Sequence, residues 1–220
     1  MVYRRTPKTE LQKLERRARI LREARGSIAR AGFGGSKIKE IAGRAGLSEG
    51  AVYRYFPTVT ELFVEVFREV AMRELEVVRH EASVRGPAWE RLAGIIRIHV
   101  ERALRQPRLA YAMLAEPLAP ELEATRLIYR KSFHQLFARV MKEAIDAGEY
   151  EPFDAETAAA CMIGAIDEAL ISPLAFRTGD VAMADRRIEF VVDFCMSGIA
   201  PWKSARASVP AGRRARVPRG

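Results

Sequence analysis

The chain has 220 residues and a mass of 24.7 kDa, with 37 Lys and Arg against 28 Asp and Glu, a net charge of +9 and a pI near 9.9. An apolar fraction of 49% supplies a core and excludes wholesale disorder, and two cysteines, Cys161 and Cys195, exclude a disulfide framework and suit a reducing compartment. No apolar run reaches the ~18 residues of a membrane span, and the basic N-terminus lacks the apolar stretch of a secretory signal; a cytoplasmic protein with no membrane partner is expected.

Charge is unevenly placed. Residues 1–60 carry +9, residues 61–200 carry −6 and residues 201–220 carry +6. A basic N-terminal third suits a polyanion partner, most simply nucleic acid, although a solvated basic face would give the same count.

Residues 1–9 read as a flexible basic arm with Arg4, Arg5 and Lys8. From Leu11 to Ala31 the apolar positions Leu14, Ala18, Leu21, Ala24, Ile28 and Ala31 recur every three or four residues, which predicts an amphipathic helix. Gly32 follows as its C-cap. Ser36 is placed to cap a short helix through Ala45, Gly46 and Leu47 form a turn, and Ser48 caps a third helix from Glu49 to Tyr55. Pro57 ends it, and Thr58 caps a long fourth helix to Ala82. Five further helices follow, over 88–105, around 109–114, and over 120–147, 154–174 and 183–199, separated by Gly and Pro. Residues 200–220 are rich in Pro, Gly and Arg without periodicity and are expected to be disordered. The fold class is all-α, about nine helices: a three-helix unit over 1–58, a helical bundle over 59–200 and a basic tail over 201–220.

Residues 36–56 are a helix, a tight Gly turn and a second short helix, with small residues (Ala42, Ala45, Gly50, Ala51) where the two would cross. That is the plan of a helix-turn-helix, whose second helix enters the major groove. Its outer side presents Ser48, Glu49, Tyr53 and Arg54. Lys37 begins the preceding helix, and Gly50 fits a close approach of backbone.

Segment 20–63 resembles the DNA-binding domain of the tetracycline-repressor (TetR) family. The resemblance rests on Phe33, Ser36, Ile41-Ala42, Ala45-Gly46-Leu47-Ser48, Gly50, Tyr53, Tyr55-Phe56 and Leu62-Phe63. It implies DNA contacts from Ser36, Lys37, Ser48, Glu49, Gly50, Tyr53, Arg54, Tyr55, Thr58 and Thr60. One position departs from the family pattern: Val59 stands where a phosphate-gripping Lys is usual. The Arg4, Arg5 and Lys8 arm is expected to compensate in the minor groove.

The resemblance further implies a body that binds an effector and dimerises. Candidate pocket residues are Phe67, Trp89, Ile96, His99, Tyr111, Met113, Tyr129, Phe133 and Met162, any one of which could equally be plain core. Few cations fall on these faces, which favours a small hydrophobic or aromatic effector. Ala158, Cys161, Ala165, Ala169, Ile188, Val191 and Phe194 on the last two helices are the expected dimer seam, and two-fold symmetry implies a palindromic operator.

Nothing suggests catalysis. His80, His99 and His134 are scattered, without metal-ligand spacing, and Asp167-Glu168 point to different helix faces. No catalytic, metal or cofactor residues are expected. The reading is a homodimeric DNA-binding regulator, most simply a repressor released by its effector; an architectural DNA-binding protein without effector control is the alternative.

Overall fold

The computed structural model describes residues 7–176 and 181–199; the expected Arg4 and Arg5 arm and the basic tail lie outside them, as does the Lys8 side chain. Among the described residues there are nine helices and no strand: α1 (Pro7–Gly35), α2 (Ile38–Arg44), α3 (Glu49–Tyr53), α4 (Val59–Ala82), α5 (Ala88–Arg105), α6 (Pro107–Leu114), α7 (Pro120–Asp146), α8 (Ala155–Phe176) and α9 (Val181–Ile199). The all-α expectation holds.

Helix α1 starts earlier than its periodicity suggested, with Pro7 at its first position, where a missing N–H costs nothing. Its buried stripe begins only at Ile20 and continues through Leu21, Ala24 and Ile28. Leu14 and Ala18, expected to face inward, are exposed. Ser48 Oγ accepts from Ala51 N at 3.2 Å and Thr58 Oγ1 from Glu61 N at 3.0 Å, so both caps form as expected.

Ser36 does not cap α2: its hydroxyl donates to Gly32 O at 2.7 Å, and the extended residue Lys37 takes the cap position. Gly50 is not needed for helix crossing either. A Cβ built there meets nothing within 4 Å, and the close approach is made by Ala42 and Ala45, each 1% exposed.

Two apolar cores share α4. One joins α1–α3 to the first half of α4, as far as Ala71, and takes in Leu109 and Ala112 of α6 and Leu122 of α7. The other begins at Leu75 and is built from α5, α7, α8 and α9. Helix α8, over Ala155–Ala175, is long and apolar enough to cross a membrane, with a mean hydropathy of 1.5, contrary to the expectation that no segment would be. Here it is a helix of the bundle, with Ala159, Ile166 and Leu170 fully buried against α5–α7 and α9.

The head and body are joined at the end of α1. Gly32 turns the chain at φ 76°, ψ −179°, a region essentially restricted to glycine. The turn exposes the amides of Phe33 and Gly34, and the Glu116 carboxylate, just beyond α6, accepts from both, at 3.1 and 2.9 Å. Arg108 of α6 donates to Ala31 O at 2.8 Å. A Cβ at Gly32 would lie 2.7 Å from Glu116 Oε1 and nearer still to Oε2. Gly32→Ala therefore combines backbone strain with a steric clash, and its unfolding free energy in urea should fall by about 2 kcal/mol or more; a change within about 0.5 kcal/mol would show that the clasp adapts freely.

Candidate DNA interface and ligand cavity

On the head, Lys37, Ser48, Glu49, Gly50, Tyr53 and Arg54 are all exposed. They lie on or beside α2 and α3, so the structure gathers them on accessible surface. Tyr55 and Thr60 are only half-exposed and line a groove with Arg17 and Glu65. There Arg17 lies 5.0 Å from the centre of the Phe56 ring and pairs with Glu65 at 2.8 Å. Thr58 is exposed at the start of α4, and Ser36 is half-buried by its bond to Gly32. Beside this surface, Arg30 and Arg44 both reach Glu40, at 3.1 and 3.2 Å, and hold its carboxyl below the ordinary value.

In the body, α4–α8 enclose a cavity of about 120 Å³. Of the nine expected lining residues, Phe67, His99, Met113, Tyr129 and Phe133 are in its wall. The other four are not. Ile96 and Met162 are buried in the core, Tyr111 packs under Arg108 with 5.8 Å between guanidinium and ring, and Trp89 is 46% exposed at the start of α5. The Trp89 and Ala88 amides are instead capped by the Glu149 carboxylate, at 2.9 Å each.

The expectation of few cations also fails. Arg102, Arg126 and Arg130 line the cavity, together with Glu74 and Asp167. Arg102 makes a two-point pair with Glu74 at 2.6 and 2.7 Å, and Arg130 reaches Asp167 at 3.2 Å. None of the five was among the expected lining residues. A basic residue three or four positions from an inward aromatic, as Arg126 and Arg130 stand to Tyr129 and Phe133, was the available signal.

His99 stands edge-on to Phe133, with ring centres 5.5 Å apart. Burial lowers its pKa, against the opposing pull of Asp167 and Glu74 and with a smaller contribution from Arg102. Burial raises that of Asp167. Among the described residues no group of His, Cys, Asp and Glu is arranged to hold a metal.

On the expected seam, Cys161 and Ala169 of α8 and Phe194 of α9 are exposed, while Ala158 and Ala165 are half-exposed. Ile188 and Val191 are not on it: at 7% and 4% exposure they pack into the chain's own core. The face that α9 presents carries Phe190 and Phe194, 70% and 61% exposed, with stacked rings 6.4 Å apart.

A helix-turn-helix head clasped to a helical body with an internal cavity defines a DNA-binding transcriptional regulator under effector control. The family model for bacterial regulatory proteins of the tetR family matches residues 20–66, and that for the tetracyclin repressor-like C-terminal domain matches 85–170. The chain belongs to the TetR family of transcriptional regulators.

A fatty acid metabolism regulator protein of Bacillus subtilis is 27% identical over 160 residues, covering 71% of this chain and 82% of the relative. The crystal structure of the B. subtilis transcriptional regulator FadR in complex with stearoyl-CoA aligns with a TM-score of 0.68 at 25% identity, over 80% of this chain and 97% of that one. The fatty acid degradation regulator FadR of Bacillus halodurans shares the fold, with a TM-score of 0.71 at 19% identity over 82% and 98% of the two chains.

The lowered pKa of His99 gives a pH dependence with a defined sign. The unfolded chain takes up a proton near pH 6.5 more readily than the folded one, so stability present above that pH is lost as the pH falls through it. His134, lowered mainly by its own burial, acts in the same direction. The fall in unfolding midpoint between pH 7.5 and 5.5 should be smaller in His99→Gln than in the native chain; an equal fall would place the proton uptake elsewhere.

Proposed function

We propose that the chain is a homodimeric repressor whose operator complex is released by a fatty acyl effector bound in the cavity between α4 and α8. The observation that carries this reading is the shared use of α4 and α6. The same helices form the cavity wall and the contact with the head, so a ligand too large for the cavity as it stands presses on elements that support the helix-turn-helix. The similarity to a fatty acid metabolism regulator and to a stearoyl-CoA complex supports the ligand class.

The lining offers an apolar surface, from Phe67, Leu109, Met113 and Phe133, and charged groups, from Arg102, Arg126 and Arg130 on α5 and α7, which suits an acyl chain that carries a polar group. Apolar cavities of about 150 Å³ take up benzene. At about 120 Å³ this one holds a ring-sized or short apolar group as it stands. A long chain must part the helices, and that displacement is the work available for coupling to DNA.

In this reading the head, over 1–58, meets a palindromic operator through Lys37, Ser48, Tyr53 and Arg54, with Thr58 and Thr60 on phosphates and no cation at Val59. The bundle, over 59–200, dimerises through α8 and α9, with Phe190 and Phe194 at the centre of the seam. The protein works in the cytoplasm, where its operator is, and has no catalytic role.

Sequencing the genomic fragments retained by the protein at about 150 mM salt should return paired, inverted half-sites. Diffuse, strongly salt-dependent retention would favour the architectural alternative. Decanoyl-CoA at about a hundred times its Kd should raise the unfolding midpoint by roughly 5–10 °C and release the recovered operator, where CoA alone does neither. Stabilisation without release would leave acyl binding intact and remove its regulatory role.

A further inference from the structure

Two of the three arginines in the cavity wall are paired with carboxylates that also line it; the third is used differently. Arg126 of α7 is 14% exposed at its side chain. It donates Nε to Met113 O at 2.9 Å, and Nη2 to Glu116 O at 2.7 Å and Ala112 O at 3.3 Å. Its carboxylate contact, Glu123 at 2.9 Å, is 42% exposed and therefore screened by solvent.

The last carbonyls of a helix lack an intrahelical donor. Helix α6 ends at Leu114, and Ala115 leaves helical geometry at φ −135°, ψ −16°. Arg126 thus acts as the C-terminal cap of α6, supplied from another helix and from inside the cavity. The residue at the end of this capped turn is Glu116. Arg126 holds its backbone oxygen, while its carboxylate holds the Phe33 and Gly34 amides of the head. A continuous set of hydrogen bonds runs from the cavity wall to the base of the helix-turn-helix.

We propose that the effector carries an anionic oxygen head, either a carboxylate or a phosphate of a CoA ester, and that this head draws Arg126 away from the α6 carbonyls and so opens the Glu116 clasp. The proposal rests on the acyl-effector reading and adds the group that is sensed. A full negative charge attracts the guanidinium more than the dipole of a carbonyl does, and the guanidinium fork fits a two-oxygen anion. At a side chain only 14% exposed the preference is larger than in solution. Burial depresses the Arg126 pKa, against the opposing pull of Glu123.

Once Nη2 turns to the effector, Ala112 O and Glu116 O lose a donor. The final turn of α6 loosens, the Glu116 carboxylate is no longer held in place, and the Phe33 and Gly34 amides lose their acceptor. The acyl chain supplies affinity and the head supplies the signal. A neutral chain of the same length is an occupant without effect.

Amide hydrogen exchange of the full chain tests this directly. Exchange is followed at Phe33 and Gly34, with decanoate, decanoyl-CoA or 1-decanol at concentrations shown by calorimetry to saturate. Decanoate or decanoyl-CoA should accelerate exchange at the two amides by about tenfold, while 1-decanol binds and leaves it unchanged. Response to both acids supports carboxylate or phosphate alike; response to the CoA ester alone assigns the head to its phosphates. Acceleration by 1-decanol equal to that by the anions would overturn the proposal and leave the acyl reading standing. Failure of all three to bind would remove the acyl reading and this proposal with it.

Arg126→Gln should exchange fast at both amides without ligand and respond no further to whichever anion, decanoate or decanoyl-CoA, moves the native chain; an acceleration by that anion equal to the native one would overturn the assignment. Glu116→Gln covers the case in which that variant does not fold. Its side chain is outside the cavity wall, and it weakens the clasp that the anion must open. Reciprocity then requires its affinity for the responsive anion, decanoate or decanoyl-CoA, to rise. A fall would overturn the link between clasp and head group.

Discussion

The structure depends on one buried carboxylate. Two backbone amides at the end of α1, the buried one of Phe33 and the part-buried one of Gly34, need an acceptor. Glu116 satisfies both from a different part of the chain. Only glycine permits the turn at residue 32 that aims those amides at it, and the space there is too small for a methyl group. With Arg108 on Ala31 O, the end of α1 is tied to both ends of α6. The orientation of the helix-turn-helix is thus set by the body beneath it rather than by a flexible linker.

A second connection is made by aromatic contact. Phe67 stacks on Phe33 at 6.1 Å, approaches Tyr129 at 6.4 Å and forms part of the cavity wall. Its ring belongs to the core of the head and to the cavity wall at the same time. Phe33 also meets Phe63 edge-on at 5.6 Å. A small displacement of α4 moves this packing as a unit, because close-packed rings have few alternative arrangements. Hydrogen bonds and packing therefore join the cavity to the same few residues around Phe33.

Much of the head was legible in the sequence, because its geometry is set locally. Gly46, Ser48, Thr58 and the apolar stripe from Leu21 to Ile28 act within a few residues, and their roles follow from turn and cap chemistry. Ser36 was misread for a nearby reason: its hydroxyl has two backbone groups in reach and bonds the preceding carbonyl. The cavity was half legible. Phe67, Tyr129 and Phe133 could be recognised as inward aromatics, but which of several inward residues borders empty space depends on how five helices cross.

The charged wall residues were missed because patterning treats an arginine as a solvent residue, whereas Arg126 is held by carbonyls of a helix end that no sequence pattern marks. On α9 the error was one of face. Ile188 and Val191 turn toward the core, while Phe194, expected outside, is joined there by Phe190, since a helix with apolar residues on both sides does not declare which is inner.

The division of α4 between two cores has a consequence for how such a chain can change over time. A cut at residue 58 would remove Leu62, Phe63, Val66 and Phe67 from the head's interior, along with the contributions of Leu109, Ala112 and Leu122. The DNA-reading unit is therefore not a cassette that recombination can transplant whole. A head moved to another body would have to find there the counterparts of the α4, α6 and α7 residues that close its interior.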